Sequence, residues 1–106
     1  MTNITMIDFE KFNGPVYTGR ARGERARSQL QLDQVDEDMA FVEVKIPDNT
    51  YTVSSSFFLG LFGPSVLRAG SKEAFLKRFH FHNPQFLKSE IDAYIARALQ
   101  GRNLFS

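Results

Sequence analysis

Apolar residues recur along this chain at two spacings, and these spacings predict alternating strands and helices. Residues 4–9 place apolar side chains at alternate positions, which is typical of a strand with one face on the core. Val16–Tyr17 and Phe79–His82 predict two shorter strands, the second at a sheet edge. Residues 39–46 have apolar side chains at both odd and even positions, which predicts a central strand covered on both faces.

Apolar residues three and four positions apart predict the helices that lie between these strands. The first helix covers residues 20–32 and contains Gly23, which costs roughly 1 kcal/mol relative to alanine and therefore indicates close packing. The second covers residues 54–70, and the pair Gly63-Pro64 within it is expected to kink or split the helix.

Two more helices complete the predicted order of elements. Lys72–Arg78 predicts a short helix, and a last helix is expected to begin at Asn83-Pro84 and to end at Gly101. Residues 33–38 are mostly acidic, and we expect a loop there. Because strands alternate with helices, the sequence predicts an α/β fold with a small mixed β-sheet covered by helices.

Composition limits both the fold and the chemistry. The chain has 106 residues, so we expect residues 1–106 to form a single domain. Eleven phenylalanines and no tryptophan predict a phenylalanine-rich core. The absence of cysteine excludes disulfides, thiolate metal sites and cysteine nucleophiles. Neither an apolar run of the roughly 20 residues that span a membrane nor a signal peptide is evident, so we expect a cytoplasmic protein without membrane contact.

Three serines open the second predicted helix. Ser54, Ser55 and Ser56 precede Phe57, and serine is preferred at a helix N-terminus because its hydroxyl accepts an otherwise unpaired backbone N–H. A phosphate on one of these serines would lie at the positive end of the helix dipole and would add a charge of about −1.5 to −2. The serines therefore serve either as plain helix caps or as a regulatory switch.

The segment around these serines resembles a known family of domains. Residues 53–63, Val-Ser-Ser-Ser-Phe-Phe-Leu-Gly-Leu-Phe-Gly, resemble the serine motif of STAS domains, the fold of bacterial anti-sigma-factor antagonists. They are similar also to the bacterial STAS-like domain family of unknown function, which has a Ser-Ser-Phe helix start and a Leu-Phe-Gly ending. A Gly-Arg helix after Thr18 and the His-Phe-His-Asn segment at residues 80–83 match further patterns of that family. The resemblance covers about residues 6–99 and implies a STAS-like architecture.

The resemblance also implies a function. In the antagonists the motif reads Asp-Ser-Ser-Gly, and a partner kinase phosphorylates one serine at the helix start. Ser54 takes the aspartate position here, and Phe57 replaces the glycine. Ser55 and Ser56 are the candidate phosphoacceptors. The resemblance thus implies a regulatory protein-binding domain, not an enzyme, with a histidine-kinase-like ATPase or another regulator as its partner.

The expected docking surface is the helix start together with the turn that precedes it. Its residues are Ser54, Phe57, Asp48 and Asn49. Large aromatic side chains dominate the energetics of many interfaces, so an exposed Phe57 would anchor the partner, whereas a buried Phe57 would belong to the core.

Four arginines in the first predicted helix suggest an alternative function. They are Arg20, Arg22, Arg25 and Arg27. A basic helix can contact the phosphates of a nucleic acid or of a nucleotide. The net charge of only +1 and the acidic segment after the helix favour a solvent-exposed face with a Glu24–Arg27 pair instead. We therefore do not expect nucleic acid as the main partner.

Other residues carry weaker predictions. His80 and His82 would share one face of a strand, but no third ligand is evident nearby, so we expect no metal site. The sequence has no nucleophile elbow, no glycine-rich phosphate loop and no paired carboxylates, so we expect no catalytic residues and no cofactor. A homodimer that covers the edge strand Phe79–His82 is a third hypothesis.

Overall fold

The computed structural model describes residues 4–103 and the side chains of residues 4–100, and strands alternate with helices along this part of the chain. The strands are β1 (Ile4–Asp8), β2 (Val16–Tyr17), β3 (Phe41–Lys45), β4 (Thr52–Val53) and β5 (Phe79–His82). The helices are α1 (Arg20–Gln29), α2 (Leu32–Glu37), α3 (Ser55–Ala69), α4 (Lys72–Arg78) and α5 (Lys88–Asn103). Short 3₁₀ turns follow β1 at Phe9–Lys11 and precede α5 at Gln85–Leu87.

The strands form two parallel sheets. β3 lies between β1 and β5 in the larger sheet, and β2 pairs with β4 in the smaller one. Helices connect the successive strands of the larger sheet, and such crossovers are what parallel neighbours require. The α/β class, the helical cover and the edge position of β5 are confirmed. All strand pairs within the described residues are parallel, so the predicted mixed sheet is wrong.

The core lies on one face of the larger sheet and is built largely from phenylalanine. α3 places Phe58 and Phe62 over β5, and the ring centroid of Phe62 lies 5.8 Å from that of Phe79 and 5.4 Å from that of Phe81. Both ring pairs meet edge to face, an arrangement that aromatic quadrupoles favour. The predicted phenylalanine-rich core is therefore confirmed.

The opposite face of the larger sheet is open. Ile4, Met6 and Phe41 are 63%, 60% and 43% exposed. Ile4 pairs with Phe41 in the sheet, so these side chains form an apolar corner at the N-terminal ends of β1 and β3. The prediction that the central strand is covered on both faces is wrong, because the helices of the described chain leave alternate side chains of β3 in solvent.

Two glycines allow α1 and α3 to pack with their backbones in contact. A Cβ at Gly23 would lie 3.0 Å from the backbone nitrogen of Leu61 and closer still to the carbonyl oxygen of Phe57. A Cβ at Gly60 would overlap the carbonyl oxygen of Arg20 in the same way. The prediction that Gly23 marks close packing is confirmed, and this contact positions the first turn of α3 against α1.

Several predicted helix boundaries need correction. Gln31 has a left-handed backbone with φ 54°, so α1 ends earlier than predicted and the chain changes direction before α2. Residues 33–38 are mainly helical rather than a loop, because Asp36 points into the interior. α3 continues through Pro64 without a break, although proline lacks the backbone N–H that would bond to the preceding turn, so the predicted split is wrong. α5 continues past Gly101.

Candidate functional site

The first turn of α3 holds the three serines. Ser54 is the N-cap, and its Oγ accepts a hydrogen bond of 3.1 Å from the backbone N–H of Phe57. Ser55 is half-buried, and Nη1 of Arg97 in α5 donates to its Oγ at 3.2 Å. Ser56 is exposed. Of the three serines, Ser54 is therefore the one that caps the helix. Ser56 is the more accessible of the two candidate phosphoacceptors.

Neighbouring elements hold the start of α3 in place. The backbone N–H of Ser54 donates to the carbonyl oxygen of Tyr17 in β2 at 2.9 Å. The hydroxyl of Tyr94 in α5 donates to the carbonyl oxygen of Val53 at 2.8 Å. Burial raises the pKa of Tyr94, so this hydroxyl keeps its proton and remains a donor throughout the physiological pH range. The serines are thus presented on a rigid support.

Phe57 belongs to the core. It is 1% exposed, and its ring centroid lies 5.9 Å from that of Phe9 and 5.8 Å from that of Tyr17. The sequence left two roles open for Phe57, an exposed anchor or a core residue. Because the ring is buried, Phe57 is a core residue and not an anchor for a partner. The reason is local: Phe57 lies on the side of α3 that packs against α1 and the segment after β1.

Asp48 and Asn49 are exposed, as a docking role requires. They line an open cleft of about 650 Å³ beyond the C-terminal ends of β3 and β5, together with Lys45 and His82. As far as the described residues show, the lining of this cleft does not include the three serines. Of the predicted docking surface, Asp48 and Asn49 thus form one patch at this cleft and the exposed Ser56 forms another, and residues 50–53 join the two along the chain.

The four arginines of α1 do not form one basic face. Arg20 is exposed. Arg22 is half-buried and donates to the carbonyl oxygen of Val16 at 2.9 Å. Arg25 is exposed, and together with Arg22 it lines a cleft between α1 and the segment after β1. Arg27 is buried. Only Arg22 and Arg25 are therefore placed where two arginines could contact one ligand.

Arg27 is part of a buried polar network. Its guanidinium donates to Asp33 at 2.7 Å, to Asp36 at 3.0 Å and to Ser65 at 2.8 Å. Asp36 also accepts from Oγ of Ser65 at 2.6 Å and from Nη2 of Arg78 at 3.1 Å. The predicted surface pair within α1 is wrong, and Arg27 stabilises the packing of α1, α2 and α3 instead of contacting a phosphate.

A second polar cluster lies on the open face of the larger sheet. The carboxylate of Glu43 in β3 lies 3.0 Å from Nδ1 of His80 and 2.6 Å from Nε2 of His82. The hydrogen bond with His82 is the main reason that the pKa of Glu43 is lowered from its ordinary value. The two histidines share one face, as predicted. Across residues 4–103, no group of three His, Cys, Asp or Glu side chains is arranged to hold a metal ion.

Comparisons with known proteins identify no match for this chain. No protein-family model, curated protein or solved structure matches the chain. The STAS-like assignment stays a prediction that depends on the residues of the serine segment. None of the helices in the described part of the chain combines the length and the apolar character that crossing a bilayer requires.

Proposed function

We propose that this chain is a regulatory, protein-binding domain of the bacterial STAS-like type that acts in the cytoplasm. Its partner is a histidine-kinase-like ATPase, which docks over the first turn of α3. The observation that carries the proposal is the exposed hydroxyl of Ser56, next to an N-cap that Ser54 already supplies. The domain contributes a binding surface and a phosphoacceptor, and the partner contributes the kinase chemistry.

The two patches of the docking surface are compatible with one partner. A typical protein interface covers about 800 Å² on each side. The accessible surface of this domain is 6457 Å², so such a footprint takes about an eighth of it. The chain links Asn49 to Ser54 through residues 50–53, which include the exposed Tyr51. A partner seated on the helix start can therefore also contact Asp48 and Asn49.

A phosphate on Ser56 is expected to be stabilised by the domain and to weaken binding of the partner. The unpaired N–H groups of the first turn and the helix dipole stabilise an anion there by about 0.3–1 kcal/mol. Arg97, which already contacts Ser55, adds a positive charge beside this turn. The same phosphate brings a charge of about −1.5 to −2 into the surface that the partner covers. Phosphorylation is thus expected to release the partner without unfolding the domain.

Charge substitutions at two helix starts test the proposal. The affinity of the purified domain for the ATPase that co-purifies with it is measured by calorimetry for the native chain, Ser56→Ala, Ser56→Glu and Ser89→Glu. Ser89 is the matched control, because it is also an exposed serine in the first turn of a helix, α5. We expect Ser56→Glu to weaken binding about tenfold or more, and the other two variants to bind within about twofold of the native chain.

Two outcomes would contradict the proposal. One is native affinity in the Ser56→Glu variant. The other is an equal loss in the Ser89→Glu variant, which would show a response to net charge rather than to the start of α3. Incubation with the ATPase and ATP adds a covalent readout, because phosphate incorporation is expected to disappear in Ser56→Ala and to persist in the serine substitution Ser89→Ala.

A further inference from the structure

A cleft between α1 and the segment after β1 gathers positive charge. Its volume is about 370 Å³, and its lining includes Lys11, Arg22 and Arg25. No carboxylate is among the lining residues within the described chain. Lys11, Arg22 and Arg25 are also absent from the ion pairs among residues 4–100, whereas Arg27 and Arg78 each have a carboxylate partner. Three cations that have no ion-pair partner among the described residues therefore line one concave surface.

Arg22 is held rigidly at this cleft. Its guanidinium donates to the carbonyl oxygens of Val16 and Asn13, and it lies 5.7 Å from the ring centroids of both Tyr17 and Phe57. Carbonyl acceptors neutralise no charge, so the positive charge of Arg22 stays available to a ligand. A cation fixed in advance loses little conformational freedom when it binds an anion, which makes it effective as a ligand contact.

The cleft also has an apolar side. Phe12 is half-buried, and together with Phe57 and Ala26 it contributes apolar atoms to the lining. Asn13 and Gln29 add amide groups that can donate or accept hydrogen bonds. A volume of about 370 Å³ is near the lower end of small-molecule sites, which commonly occupy about 300–1,000 Å³. The dimensions suit a small organic molecule better than a long polymer.

We propose that this cleft binds a small organic phosphate, such as a nucleoside monophosphate. Its phosphate contacts Lys11, Arg22 and Arg25, and its planar, less polar body lies against Phe12. This site is distinct from the start of α3, and the inference does not depend on the proposed protein-binding function. Of the arginines in α1, it uses only the two that the structure brings to the cleft.

Calorimetry and two-dimensional NMR with AMP test this proposal, with adenosine, inorganic phosphate and a short single-stranded RNA as comparison probes. We expect AMP to bind with a Kd below about 1 mM, and adenosine and inorganic phosphate to bind about tenfold more weakly or not at all. The amide signals that shift are expected to belong to residues 11–13 and 22–29.

Matched double variants separate the cleft from general charge effects. Lys11→Ala with Arg25→Ala removes two cations of the cleft, whereas Arg20→Ala with Arg68→Ala removes two exposed cations outside it. Arg22 is left intact, because it also holds the backbone around Val16. We expect the first double variant to bind AMP about tenfold or more weakly, and the second to bind within about twofold of the native chain.

Four outcomes would overturn the proposal. They are no binding of AMP at several times the expected Kd, equal loss in both double variants, equal affinity for AMP and either adenosine or inorganic phosphate, and much tighter binding of the RNA than of AMP. The last outcome would assign the basic cleft to nucleic acid.

Discussion

Replacing Asp36 with alanine tests the polar network that holds α1, α2 and α3 together. Asp36 is 1% exposed, and its carboxylate accepts from Arg27 at 3.0 Å, from Ser65 at 2.6 Å and from Arg78 at 3.1 Å. Both arginines are buried. The substitution therefore leaves two buried guanidinium groups without the carboxylate that they share.

The expected cost follows from what each arginine retains. Removing one partner of a buried ion pair generally costs about 3–5 kcal/mol. Arg27 keeps Asp33 at 2.7 Å, and Arg78 keeps the carbonyl oxygen of Ala40 at 2.9 Å. These remaining contacts place the expected loss near the lower limit, at about 3 kcal/mol. A domain of this size is stable by about 5–15 kcal/mol in total, so the loss is a large fraction.

Urea unfolding followed by circular dichroism measures this loss, and Asp33→Ala is the control. Asp33 contacts the same arginine, but its side chain is 90% exposed, and exposed ion pairs contribute about 0–1 kcal/mol. We expect Asp36→Ala to lose about 3 kcal/mol and Asp33→Ala less than about 1 kcal/mol. The reasoning would be refuted by equal losses, or by a loss below about 1 kcal/mol for Asp36→Ala.

Four further substitutions test the packing and the pH dependence of the fold. Gly23→Ala is expected to lower the unfolding free energy by about 1–3 kcal/mol in thermal melts, because its Cβ would overlap the backbone of α3. Gly63→Ala is expected to cost less than Gly23→Ala, because its Cβ would meet one side-chain carbon of α3 at 3.9 Å and no backbone of α1. Some loss is expected, since the ring of Pro64 crowds a Cβ at the helical position before it. Phe57→Ala is expected to cost about 3–5 kcal/mol in urea unfolding, because the ring is buried. Because hydrogen bonding holds the pKa of Glu43 below its ordinary value of 4.5, Glu43 stabilises the fold above that pH and loses this effect as the pH falls further. Glu43→Gln is therefore expected to make unfolding free energy less sensitive to acid, measured by urea unfolding from neutral to acid pH.

Each of these predictions has a clear contrary result. Equal destabilisation by the two glycine substitutions would contradict the contact between the backbones of α1 and α3. A Phe57→Ala domain of native stability would contradict the core role of that ring. Parallel stability curves for the native chain and Glu43→Gln would mean that the cluster on the open sheet face contributes no acid-dependent stability.

The elements with local signals could be predicted from the sequence. α4 and β5 have the predicted bounds, since Ser71 caps α4 with a 3.1 Å hydrogen bond from the backbone N–H of Ala74. Gly70 ends α3 with a left-handed φ of 88°, which glycine adopts readily. β4 was not predicted, because Thr52–Val53 becomes a strand only by pairing with Val16–Tyr17 from a distant part of the chain.

The roles of individual side chains depended on tertiary contacts and could not be predicted in the same way. Arg25 and Arg27 are two positions apart in one helix, yet only Arg27 is buried. The difference arises because Ser65, 38 positions away, lies beside Arg27 in the folded chain. Glu43 meets His80 because β3 and β5 are aligned in that register, and strand register is not readable from one sequence.

Affinity purification of the tagged protein from its native cells, followed by mass spectrometry, tests the central claim most directly. The tryptic peptide of residues 46–68 contains all three serines, so one experiment reports both the partner and the modification. The account predicts a stoichiometric histidine-kinase-like ATPase and a fraction of this peptide that carries phosphate on Ser56. Recovery of the domain without such an ATPase, together with an unmodified peptide, would contradict the account and leave helix capping as the role of the serine segment.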